Sequence, residues 1–216
     1  MNSKIYNVVI LDKSGSMTSI RKQAVDSVNE TFGCIRSMRK KNVEQEQFVT
    51  LVAFCGCEQK VIYENTPIEK VNNITPSDYE PCCMTPLYYA IGNVCTRLHT
   101  TVKDDESASV AVTIITDGYE NASRRYDYER VRRMIERQKE KYGWEFLFLG
   151  ANIDAAKEAA RFGIGADRAV NYKCDEAGTA LNYKVIGEAV CSVRAARPLS
   201  ADWKRRIDED VQKRGR

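Results

Sequence analysis

The chain has 216 residues, 43% of them apolar and 29% charged, with a formal net charge of +3. That length suits one sizeable α/β domain with a well-buried core and is short for two. The small, dispersed positive charge argues against nucleic acid as a partner, and no stretch approaches the roughly 18 uncharged apolar residues of a membrane span.

Residues 5–11, Ile5-Tyr6-Asn7-Val8-Val9-Ile10-Leu11, form a nearly continuous apolar run, the pattern of a central strand covered on both faces. Met1-Asn2-Ser3-Lys4 ahead of it has no basic segment, apolar segment and small-residue cleavage site in series, so a secretory precursor is not expected. Directly after the run comes Asp12-Lys13-Ser14-Gly15-Ser16. Ile20, Ala24, Val28, Phe32, Ile35 and Met38 then recur at helical spacing. Residues 48–54 and 60–63 read as two strands close enough to pair as a hairpin, which makes one of them antiparallel.

After an irregular stretch with Pro67, Pro76 and Pro81, Thr85-Pro86 reads as the cap and first turn of a helix that buries Leu87, Ala90, Ile91, Val94 and Leu98. Residues 109–116 are a second apolar strand, and Asp117-Gly118 follows it at once. Helical spacing returns over 127–142, 155–162 and 178–196, with strands at 145–149 and 168–172. The chain is thus expected to be α/β: a doubly wound, mostly parallel central sheet with one short antiparallel edge strand and helices on both faces. Residues 1–200 form the expected single domain. Residues 201–216 form a charged tail, read as a solvated helix end.

The eight cysteines include two close pairs, Cys55-Gly56-Cys57 and Cys82-Cys83, but no CxxC, and His99 is the one histidine. These spacings do not predict a zinc site. Reduced thiols in a cytoplasmic protein, most of them packed as small hydrophobes, are the expected state.

In an open α/β sheet, ligands bind beyond the carboxyl ends of the strands, where strand order reverses. Asp12 and Asp117 both follow central strands. If those strands are neighbours, their carboxylates converge, with Ser14, Ser16 and Thr85 adding neutral oxygens. This is a hard-oxygen donor set suited to Mg²⁺, with Mn²⁺ or Ca²⁺ as alternatives. Turn formation and helix capping are the competing accounts of the same residues. Lys13 reads as a solvated loop cation, and Tyr119, Glu120 and Asn121 as either partner contacts or a turn.

The three pieces Asp12-Lys13-Ser14-Gly15-Ser16, Thr85-Pro86-Leu87 and Thr116-Asp117-Gly118 resemble the metal-ion-dependent adhesion site of von Willebrand factor type A (VWA) domains, in that family's order. The resemblance covers about residues 3–196. Thr85-Pro86-Leu87-Tyr88-Tyr89-Ala90-Ile91-Gly92 and Thr116-Asp117-Gly118-Tyr119-Glu120-Asn121 resemble most closely the intracellular bacterial and phage branch, including tellurite-resistance-type proteins. The resemblance implies the doubly wound Rossmann-like fold and metal roles for Asp12, Ser14, Ser16, Thr85 and Asp117. It further implies a non-enzymatic module that binds a partner protein through a carboxylate offered to the cation. Cys83 stands where relatives often carry glycine, which puts the conformation of that loop in question. The competing readings are a Mg²⁺-dependent phosphoryl-transfer enzyme and a metal-independent scaffold. The first lacks the second carboxylate such enzymes place two residues on, where this chain has Ser14.

Overall fold

The computed structural model describes residues 3–151, 153–173, 175, 177, 178, 181, 184, 185, 188, 189 and 200–214. Strands β1 (Ser3–Asp12), β2 (Gln45–Phe54), β3 (Gln59–Pro67), β4 (Ala108–Thr116), β5 (Glu145–Gly150) and β6 (Ala169–Asn171) form one sheet in the order β3-β2-β1-β4-β5-β6. All neighbours are parallel except β2 and β3, which pair as the expected antiparallel hairpin at the edge. β3 is nine residues long rather than short. It is half-exposed along most of its length and ends in Glu64-Asn65-Thr66-Pro67, so its second half carries no strand signal in the sequence.

Parallel neighbours require crossovers, and helices supply them. They are α1 (Arg21–Lys41), α2 (Leu87–Val102), α3 (Tyr128–Tyr142) and α4 (Ala155–Arg161), followed near the C-terminus by α5 (Arg205–Lys213). A 3-10 turn, Gly15–Ile20, precedes α1, so the first α-helix begins later than Ser16. α1 buries Val28, Phe32 and Ile35 on one face of the sheet. α2 and α3 bury Ile91, Val94, Leu98, Val131 and Ile135 on the other. Each such fully buried side chain stabilises the fold by about 1.5–3 kcal/mol, so a core on each face holds the central strands and fixes where their ends lie.

The helix expected over 178–196 falls largely outside the described residues, as do Cys174 and Cys191. The charged segment near the C-terminus is tied to the sheet. Ile207 is buried in the cluster on the α1 side, and Trp203 Nε1 donates to the Asp167 carbonyl at 2.7 Å.

The strand order reverses between β1 and β4. One crossover leads from β1 outward to β2, and the later strands build outward from β4. The carboxyl ends of these two strands therefore flank the switch point at which ligands of open α/β sheets bind.

Candidate metal centre

β1 and β4 run in register, with Leu11 opposite Ile115, so Asp12 and Thr116 emerge side by side. Thr116 Oγ1 donates to Asp12 Oδ2 at 2.6 Å, and the Ser14 amide donates to Asp12 Oδ1 at 2.7 Å. The Tyr79 hydroxyl, itself fully buried, donates to the Asp12 carbonyl at 2.5 Å. The Asp12 carboxylate is thus buried and held at both oxygens.

Ser14 Oγ lies 3.1 Å from Ser16 Oγ, and Ser16 Oγ donates to Asp117 Oδ1 at 2.6 Å. Asp12, Ser14, Ser16 and Asp117 are therefore one connected set, built from two loops far apart in sequence. Ser14 occupies the cap position of the 3-10 turn, yet its side chain makes no capping hydrogen bond. Capping does not account for that hydroxyl.

Thr85 is buried beside the second loop, and a Cβ built on Gly118 would lie 3.4 Å from its hydroxyl. Its backbone is clamped from both sides. The Thr85 amide donates to Asn121 Oδ1 at 2.8 Å, and the Asn121 amide donates to the Thr85 carbonyl at 3.2 Å. The expected cap of α2 by Thr85 is not what forms. The helix begins at Leu87, with Pro86 rather than Thr85 in the cap position. Its first amides go elsewhere, Tyr88 to Glu120 Oε2 at 2.7 Å and Tyr89 to Ser123 Oγ at 2.9 Å. The loop after Asp117 folds back over the start of α2, so the side chains of Glu120 and Asn121 brace the Thr85 loop and the first turn of α2, while Tyr119 stays exposed.

Tyr79 escaped the sequence reading, Thr116 was read only as part of the Thr116-Asp117-Gly118 motif, and Glu120 and Asn121 were left open between partner contacts and a turn, whereas they act as braces. Thr116 had a usable signal, since a polar residue ending a buried strand next to Asp12 needs a partner. Lys13 is not the solvated loop cation expected. Its side chain is only 4% exposed and pairs with Glu58, because the Lys13 amide and carbonyl are bonded to Phe54 and Cys82 and turn the residue inward.

Burial pushes the Asp12 carboxyl up to about 6. The hydrogen bonds from Thr116 and Ser14 oppose that rise, and the charge of Asp117 adds to it. Burial likewise raises Asp117, against the hydrogen bond from Ser16. Two carboxylates crowded into one buried site favour a positive charge between them.

The donor set fits a hard divalent cation. Ions bound at about 2.0–2.1 Å by octahedral oxygens separate adjacent ligands by about 2.9 Å. The hydrogen bonds of 3.1 and 2.6 Å already hold these oxygens at a spacing close to that edge, so a cation can replace the hydrogen bonds with little movement. Two hydroxyls and a carboxylate suit Mg²⁺ or Mn²⁺ better than a soft metal.

The cysteines depart from the expectation of separate reduced thiols. Cys57 and Cys83 form a disulfide, and Cys55 Sγ lies 3.1 Å from Cys82 Sγ. The hairpin turn between β2 and β3 meets the Thr85 loop, with the Gly56 amide donating to the Met84 carbonyl at 2.7 Å. A Cβ at Gly56 would sit 3.1 Å from the Met84 nitrogen, so only glycine permits this approach without a shift. Sequence spacing within each close pair carries no information about the pairs meeting. Cys95 is buried in α2 as its apolar surroundings predict.

No family model matches the chain by sequence, and no curated protein does. Solved structures do match in fold. A von Willebrand factor type A protein from Catenulispora acidiphila superposes with a TM-score of 0.62 at 16% identity, over 88% of this chain and 43% of that one. Proximal thread matrix protein 1 from the mussel byssus, in a structure with a zinc-occupied MIDAS motif, gives 0.59 at 12% identity over 88% and 46%. The SpRpn10 VWA domain gives 0.56 at 11% identity over 85% and 95%. This chain thus spans less than half of the first two. The shared feature is the fold, a six-stranded, mostly parallel Rossmann-like VWA sheet with one antiparallel edge strand.

Proposed function

We propose, on the premise of that VWA fold, that the chain is a divalent-cation-dependent protein-binding module. Asp12, Ser14, Ser16, Thr85 and Asp117 would hold the ion, with Mg²⁺ the first candidate and Mn²⁺ or Ca²⁺ the alternatives. The observation that carries this reading is the hydrogen-bonded oxygen set at the switch point, in which the Ser14 hydroxyl does no capping. When bound, the cation supplies a positive charge to which a partner's carboxylate can attach. The chain's own residues do the rest: Thr116 and the Ser14 amide orient Asp12, and Asn121 and Glu120 fix the loop that carries Thr85.

The surface around the site supports a protein partner. Among the described residues the exposed large hydrophobics are Val43, Met84 and Tyr119. Met84 precedes Thr85, and Tyr119 lies two residues after Asp117, so two of the three border the site. Methionine and tyrosine are among the residues enriched at protein-binding surfaces. Binding without catalysis is the reading adopted, since position 14 carries a hydroxyl directed at Ser16 where phosphoryl-transfer chemistry of this layout places a carboxylate. No helix of the described residues is long and apolar enough to cross a membrane. The likeness of the Thr85 and Asp117 segments to the intracellular bacterial branch supports a cytoplasmic setting.

The test is affinity capture with the purified chain in Mg²⁺, in EDTA, and with Asp12→Ala. The expected result is a partner retained only by the wild-type chain in Mg²⁺ and released by EDTA. Capture of the same partner by Asp12→Ala, or in EDTA, would overturn the reading.

A further inference from the structure

We propose that Cys55, Cys57, Cys82 and Cys83 form a second metal site, a thiolate cage for a soft divalent cation of the zinc class, built into the hairpin turn and the Thr85 loop.

The sulfurs of Cys55, Cys57 and Cys82 all lie within 4.8 Å of one another, and Cys83 is bonded to Cys57, so four sulfurs share one small volume. A tetrahedral Cys₄ zinc site with bonds of about 2.3 Å requires sulfurs about 3.8 Å apart. The cluster is already at that scale, and four thiolates are the donor set that selects soft cations over Mg²⁺. The backbone is fixed independently of the sulfurs. The Cys55 amide donates to the Glu58 carbonyl at 2.9 Å, the Cys82 amide to the Lys13 carbonyl at 2.8 Å, and the Gly15 amide to the Cys83 carbonyl at 3.1 Å. The site is also reachable. Cys55 is buried, Cys82 half-buried and Cys57 exposed, and Cys55 and Cys57 line an open groove of about 720 Å³.

Cys83 itself adopts a left-handed backbone, with φ of 60°. A side chain there costs about 1–2 kcal/mol relative to an ordinary conformation. That cost is offset if the Cys83 sulfur is needed as a ligand.

Chemically, the cage forms from four thiols. Each gives up its proton and bonds the cation through sulfur, so one divalent ion displaces four protons and leaves a tetrathiolate centre of charge −2. The disulfide form reaches the four-thiol form by accepting two electrons and two protons from a dithiol reductant, which leaves as its own disulfide. A reducing compartment keeps Cys57 and Cys83 in the ligating state. The cage would sit two residues from Thr85 and hold its loop through Cys82 and Cys83. It has a soft-donor chemistry distinct from the oxygen site and does not depend on that site's function.

The experiment uses the full reduced, metal-stripped chain without oxygen, titrated with Zn²⁺ and separately with Cd²⁺, whose thiolate complexes absorb in the near ultraviolet. The proposal expects the Cd²⁺ thiolate band, to which the oxygen site contributes nothing, to saturate at one equivalent. Zn²⁺ should protect Cys55, Cys57, Cys82 and Cys83 from alkylation while Cys34 labels at its metal-free rate. Cys57→Ser should weaken binding at least about 100-fold, no less than loss of an outer-shell partner does elsewhere. Asp12→Ala should give the same Cd²⁺ band and the same zinc protection of the four cysteines as the wild type, which separates this site from the oxygen site. Absence of the charge-transfer band, or equal alkylation of these four cysteines with and without Zn²⁺, would overturn it. The labelling readout uses the wild-type chain and so does not depend on any variant folding.

Discussion

Two clusters of potential ligands lie on either side of one short loop, and they differ in almost every respect. The oxygen cluster of Asp12, Ser14, Ser16 and Asp117 sits at the carboxyl ends of the two central strands, where a core on each face fixes the backbone. The sulfur cluster of Cys55, Cys57, Cys82 and Cys83 sits where an edge hairpin turn meets an irregular loop. The first is placed by sheet register, the second by a backbone crossing that only Gly56 allows. Thr85 lies between them, held on one side by Asn121 and reached on the other through Met84 and Cys83. A site on central strands inherits the rigidity of the sheet, whereas a site on two loops depends on the backbone hydrogen bonds that hold those loops in place.

The comparison breaks most sharply at Asp12. Asp12→Ala should abolish Mg²⁺ binding in calorimetry, with far-ultraviolet circular dichroism unchanged, and should leave the sulfur cluster's metal binding intact. Cys83→Gly probes the other side and should reverse sign with redox state. In oxidising buffer it removes a disulfide whose cysteines are 26 residues apart, and unfolding by denaturant should show a loss of up to about 3.5 kcal/mol. In reductant and EDTA, relief of the left-handed cysteine should instead stabilise by about 0.5–1 kcal/mol.

A smaller effect is expected at Thr116. Thr116→Val leaves the Asp12 carboxylate without its side-chain donor, and Mg²⁺ affinity should fall about tenfold, within the range for outer-shell partners.

The pH dependence follows from the raised Asp12 carboxyl. Its proton is held more tightly in the folded chain, at about 6, than in the unfolded one. The metal-free protein should therefore lose stability as pH rises from about 4 to about 6, because the folded state binds more protons across that window. A cation competes with the same proton. Mg²⁺ affinity should fall by up to about tenfold per unit as pH drops below about 6, and the zinc affinity of the sulfur cluster should fall over a higher range, where thiols titrate.

The oxygen side was legible in sequence because its chemistry is local and its spacing regular. Asp12 and Asp117 each end an apolar run, and the alternation of strands and helices implied the sheet that brings them together. What supports them was harder to read. Thr116 looked like one more residue of a strand, and Glu120 and Asn121 had no pattern to distinguish a brace from a rim. Lys13 looked solvated because a charged residue in a turn usually is, yet its backbone bonds turn it inward to Glu58. The length of β3 was hidden because an edge strand has little to bury. The sulfur cluster was illegible for a different reason. Each pair is close in sequence, but their meeting depends on a contact between the β2–β3 turn and the Thr85 loop that no periodicity encodes.

Thermal unfolding of the reduced wild-type chain at neutral pH, with and without Mg²⁺, tests the central claim most directly. A cation that binds only the folded state must raise the midpoint in proportion to the logarithm of its concentration above the dissociation constant. The account predicts a rise in millimolar Mg²⁺ that is absent in Asp12→Ala. A wild-type midpoint that stays put at tens of millimolar Mg²⁺, Mn²⁺ and Ca²⁺ alike would contradict it.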